Sequence, residues 1–163
     1  MTFREAYDQL KAILQADSWI TANGVEVIDG IQARMSIEDV AKVFETIFAD
    51  NAYTIVIEHP GTAIMDDSER SAHLTTTFSI LLVENPQLRE SAAIDPLEAS
   101  YEIANAVFGQ PVASLGRNRF TPAPKFYQYV GTARGHLFHQ YDFAITTNLV
   151  PRGLPVHARP VAV

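Results

Sequence analysis

The chain has 163 residues, 47% hydrophobic and 19% charged, with a formal net charge of −7. That length and balance fit one globular domain with room for a sizeable core, and they exclude wholesale disorder. Cysteine is absent, which excludes disulfides and thiol catalysis, and the acidic balance argues against a surface built to grip nucleic acid.

From Thr2 the spacing predicts a helix. Thr2-x-x-Glu5 has capping-box form, and Phe3, Ala6, Tyr7, Leu10, Ile13 and Leu14 recur at helical intervals. The stripe ends before Asp17-Ser18, with Trp19-Ile20 as an apolar anchor and Asn23-Gly24 as a turn. These first residues carry charge throughout, unlike a signal peptide, and no apolar run in the chain is long enough to span a bilayer. Val25 to Ile28 reads as a short strand, either a hairpin arm or a sheet edge.

Ser36 and Asp39 open a second helix over 36–50, with Val40, Val43, Phe44, Ile47 and Phe48 as its apolar face. Tyr53 to Ile57 is nearly continuously apolar, as in a strand covered on both faces. Glu58 to Ser71 is polar, contains Pro60-Gly61, and reads as a long connection. His73 to Asn85 then alternates as a long half-buried strand: Leu74, Thr76, Phe78, Ile80 and Leu82 face one way, and Thr75, Thr77 and Ser79 the other. Asn85-Pro86 stops it.

Asp95-Pro96 opens a third helix with Leu97, Tyr101, Ala104, Val107 and Phe108 as its stripe, and Gly109 and Pro111 end it. Residues 110–125 read as loop, with Phe120 pinning it to the body. Phe126 to Val130 is a further strand, and Gly131 and Gly135 bracket a turn or a bulge. His136 to Asn148 is a second long strand, with Leu137, Tyr141, Phe143 and Ile145 on one face and Gln140, Asp142 and Thr146 on the other. The predicted fold is therefore α+β: a mixed, largely antiparallel sheet flanked by about three helices, in one domain over 1–149. Residues 150–163 hold three prolines and two arginines and read as an extended C-terminal arm, either frayed or laid on a neighbouring subunit.

Charge is unevenly spread. Residues 1–108 carry six basic and eighteen acidic side chains, and 109–163 carry six basic and one acidic. Chance distribution over one surface is one reading; a subunit with an acidic and a basic side, built to associate, is the other. On the second, the contact residues are Asp66, Asp67, Glu69 and Arg70 in the polar connection, and Arg117, Arg119, Arg152 and Arg159 in the basic part.

Catalytic signatures are missing. There is no G-x-S-x-G elbow and no glycine-rich phosphate cradle. His136-x-x-His139 has a metal-like spacing, yet strand residues three apart face opposite sides. Asp66, Asp67 and Glu69 lack the alternation and glycine of a calcium loop. Tyr127, Tyr129 and Tyr141 beside basic residues suit base stacking, although tyrosines at strand spacing are more often core or cross-strand pairs. No cofactor or metal is expected, and a small enzyme built from His59, His73, Asp66 and Tyr141 is the lesser alternative.

In layout the chain resembles the tail terminator and tail-completion proteins of long-tailed bacteriophages. The likeness rests on the helix Phe3 to Leu14, the strand Tyr53–Ile57 followed by His59-Pro60-Gly61, the long strand ending Val83-Glu84-Asn85-Pro86, the helix Pro96–Phe108 and the closing strand Tyr141–Thr147. It covers most of residues 1–149 and assigns no functional residue. The resemblance implies a non-enzymatic virion protein, assembled in the host cytoplasm, whose copies close into a ring, typically hexameric. Such a ring caps the tail tube and meets the head-proximal connector or stopper protein, without membrane or sequence-specific nucleic-acid binding. Another head–tail connector or neck component is the alternative within the same class.

Overall fold

The computed structural model describes residues 3–30, 35–58, 61–67, 72–91, 94–112 and 119–149. Among them are five helices, α1 (Phe3–Ala16), α2 (Ser18–Ala22), α3 (Ile37–Val43), α4 (Glu45–Asp50) and α5 (Pro96–Val107), and a 3-10 helix over Pro86–Ser91. The strands are β1 (Glu26–Ile28), β2 (Tyr53–Ile57), β3 (Gly61–Asp67), β4 (Ala72–Glu84), β5 (Thr121–Ala133) and β6 (His136–Leu149). They form one sheet in the order β1-β2-β4-β6-β5, with β3 also paired to β4. Only β1 and β2 run parallel; every other pairing is antiparallel, so the fold is α+β as the sequence predicts.

β4 and β6 are the axis of the sheet, in register from Ala72 opposite Leu149 to Glu84 opposite Leu137. Phe78 faces Phe143 and Ile80 faces Tyr141, and all four are buried. This face carries the larger core, closed by Tyr7, Leu10 and Leu14 of α1 and by Ala99, Ile103 and Val107 of α5. Among the described residues, the opposite face has an apolar cluster at one end only. There Val40, Ala41 and Phe48 of α3 and α4 pack on Val56, Leu81, Val83 and Phe138. The two long strands are therefore half-buried along part of their length and covered on both faces at the Glu84–Leu137 end, because Leu81, Val83 and Phe138 give that end a second apolar face.

Three further predictions are corrected. The connection at 58–71 contains a strand. β2 pairs with β4 down to Ile57 opposite Ile80, and β3 resumes at Gly61 opposite Thr77, so four steps on one side match three on the other. The physical reason lies in β4: its 13 residues outrun the five of β2, and the leftover backbone edge takes a partner. The helix over 36–50 breaks at Phe44, which leaves helical geometry at φ −105°, ψ 19°. Ile37, Val40, Val43, Thr46 and Ile47 are β-branched and hold a helix weakly there.

The loop over 110–125 ends earlier than predicted, because β5 starts at Thr121. Pro122 and Pro124 are tolerated since β5 is a sheet edge, and the pairing slips between Pro122 and Tyr127. Of the two readings of Val25 to Ile28, the sheet edge holds: β1 covers Glu26–Ile28 and runs parallel to β2. The close of α1 on this edge is tight. The Gly30 amide donates to the Tyr7 hydroxyl at 2.7 Å, and that hydroxyl donates to the Ile57 carbonyl at 3.3 Å.

Candidate functional site

Helix α5 is apolar on two opposite sides. Asp95 caps it by accepting from the Leu97 amide at 2.9 Å, and Pro96 sets its first turn. The buried side is Ala99, Ile103 and Val107. Leu97, Tyr101 and Phe108 lie on the other side, within about 40° of one another at 3.6 residues per turn. They are 68%, 66% and 61% exposed. The predicted stripe thus mixed the two sides: of its members only Val107 is a core residue, and Ala104 is half-buried between the sides. Three large apolar side chains in water on one side of a helix make a candidate contact surface.

The uncovered half of the second sheet face is polar. Thr75, Thr77 and Ser79 of β4 and Gln140, Asp142 and Thr146 of β6 lie there, on the side opposite Phe78 and Phe143. Thr75 and Thr146 meet through their hydroxyls at 3.1 Å, and the Gln140 amide donates to Asp142 at 2.9 Å. Glu58, next to the end of β2, donates its backbone amide to the Ser79 carbonyl, and Ser79 pairs with Asp142. Glu58, Ser79 and Asp142 thus form a row across three strands. Burial pushes the Glu58 carboxyl up to about 7, the Asp142 charge adds to this, and a hydrogen bond with Ser79 opposes it. Glu58 therefore keeps its proton up to near neutral pH.

A third polar group is internal. His139 is stacked on Tyr127 with ring centroids 6.0 Å apart, its Nδ1 lies 3.0 Å from the Tyr127 hydroxyl, and its Nε2 lies 3.7 Å from Glu84. His136 is on the other face, with its ring against Phe48, so the two histidines are separated by the sheet as strand alternation predicts. Among the described residues no three His, Asp or Glu side chains gather closely enough to hold a metal ion. A depression of about 160 Å³ between Ala49, Asn85, Leu88, Arg134 and His136 is small beside the ~300–1,000 Å³ of small-molecule sites.

The residues singled out in the sequence are dispersed. Asp66 and Asp67 lie on β3, opposite His73 and Ala72. Arg119 is exposed beside the end of α5, where its guanidinium donates to the Gly109 carbonyl. Glu69, Arg70, Arg117, Arg152, Arg159 and His59 lie outside the described residues. Tyr141 is buried in the core and sits opposite Ile80, whereas His73 sits opposite Asn148. Seven strand residues, roughly 23 Å, separate Tyr141 from the Asp66–His73 pair, so the structure does not bring them to one cleft. Sequence reasoning missed Glu58 and Asp142, whose signal is the strand register, and the outward side of α5, whose signal is Leu97-x-x-x-Tyr101 placed opposite Ala99 and Ile103.

No protein-family model matches the chain, and no curated protein matches it.

Proposed function

We propose that this chain is a structural subunit that assembles with copies of itself into a ring and acts as a phage tail terminator, capping the tail tube and presenting a surface to the head-proximal neck. The observation that carries the reading is the outward stripe of α5, Leu97, Tyr101 and Phe108, held on a helix whose other side is already committed to the core. An apolar stripe so placed adds nothing to the fold of one copy and is suited to covering by another. The α+β layout agrees with what the resemblance to tail terminator and tail-completion proteins implies. No described helix is long and apolar enough to cross a membrane.

The test is functional. Purified chain is added to a tail tube protein during tube growth, and the tubes are measured by negative-stain electron microscopy. Arrested tubes with a ring at one end are expected. Tubes of unchanged length, with bare ends, would contradict the reading.

A further inference from the structure

The stripe on α5 has a charged border. Asp95, Glu98 and Glu102 are its ionisable residues, and no basic residue lies between Ile94 and Phe108. Beyond Glu102 the next acidic residue is Asp142. Within that acid-free interval β5 forms the sheet edge and exposes Lys125, Tyr129 and Val130. Helix α5 carries carboxylates and no base; strand β5 carries a base and no carboxylate of its own, and the acidic residues Glu38 and Asp39 of α3 lie toward its Gly131 end, away from Lys125.

We propose that the α5 stripe of one copy docks on the β5 edge of a second copy, with Leu97 and Tyr101 over Tyr129 and Val130 and with Glu98 and Glu102 facing Lys125. This rests on the self-assembling reading above and names its contact. Two α5 stripes laid face to face would instead bring their carboxylates together with no base on the helix to answer them, and Arg119 is engaged at the Gly109 carbonyl. Pro122 and Pro124 lack the N–H groups that would let a partner strand extend the sheet along the first half of β5, so docking is through side chains. Because the two surfaces differ, the contact is head-to-tail, and it generates a ring when the rotation closes.

The absence of native cysteine makes the contact directly readable. Glu98→Cys and Lys125→Cys full-length chains are prepared separately, mixed, and treated with a short bismaleimide. The mixed Glu98→Cys/Lys125→Cys dimer is expected as the main linked product. In parallel, Glu98→Lys with Glu102→Lys should weaken self-association at least tenfold, and adding Lys125→Glu to the same chain should restore most of it. Dominant Glu98→Cys homodimer would overturn the head-to-tail contact in favour of facing helices. Little linked product, with wild-type chain still assembling, would overturn this contact and leave self-assembly standing. Wild-type chain that stays monomeric with and without tube protein would overturn both.

Discussion

Nε2 of His139 lies 3.7 Å from a carboxylate oxygen of Glu84, and both side chains are withdrawn from water. The register makes them diagonal neighbours, since His139 is opposite Leu82 and Glu84 opposite Leu137. Burial holds the imidazole below its ordinary range, and the Glu84 carboxylate pulls partly the other way. A base whose folded pKa is depressed gives stability that is complete above its unfolded value of about 6.5 and is lost as pH falls through the folded value. Replacing Glu84 with Gln removes the upward pull, so the His139 titration followed by NMR should move further down. An unmoved titration would show that the two groups do not interact.

Glu58 has the opposite sign. Its carboxyl is raised from 4.5 to about 7, mainly by burial and then by Asp142. The folded chain holds a proton there that the unfolded chain releases, so this group's contribution favours folding at low pH and falls away as pH rises from about 4.5 to 7. Glu58→Gln should flatten that part of the stability profile in urea titrations and be more stable than wild type above pH 7. A variant with the wild-type slope over that interval would contradict the row of Glu58, Ser79 and Asp142.

Gly30 and Gly24 should differ in the cost of an added methyl. A Cβ on Gly30 would lie 1.7 Å from the Ile57 carbonyl oxygen, so the contact joining α1, β1 and β2 has to open. Gly24 has φ +64° and open space around it, so alanine there meets only backbone strain. Gly24→Ala should cost about 1–2 kcal/mol. Gly30→Ala should cost more, about 3 kcal/mol, the upper range for overpacking. Equal melting temperatures for the two variants would show that Tyr7 does not clamp this edge.

Aromatic residues on the two sides of the molecule should respond differently to charge. Phe78 and Phe143 are fully buried and opposite one another on β4 and β6. Phe78→Asp or Phe143→Asp should unfold the domain, because a bare carboxylate cannot be solvated there. Tyr101→Asp should leave the melting temperature within a few degrees of wild type and abolish self-association. A folded, native-like Phe78→Asp chain would show that this sheet face is not the core.

Much of this fold is legible in local pattern. Tyr53–Ile57 is apolar at every position but Thr54 and is buried at every position. The alternation in β4 and β6 gives the first face of the sheet, and Asp95-Pro96 gives the start of α5. What local pattern does not give is partnership. Gly61–Asp67 looks like a polar connection because its strand character comes from the unpaired edge of β4, a demand made elsewhere in the chain. Leu97 and Tyr101 look like core because helical spacing says which residues share a side and not which side the body occupies. Glu58 and Asp142 are 84 positions apart and are joined only by the pairing of β2, β4 and β6. The candidate contact surface therefore emerges only once the core has claimed its own residues.

Sedimentation velocity of the full-length chain, across a range of concentrations, bears most directly on whether its work is done between copies. A cooperative shift from monomer to one closed oligomer of fixed copy number is expected, lost in the Tyr101→Asp chain. A single monomeric boundary at every concentration, unchanged by tube protein and identical in the two chains, would contradict it.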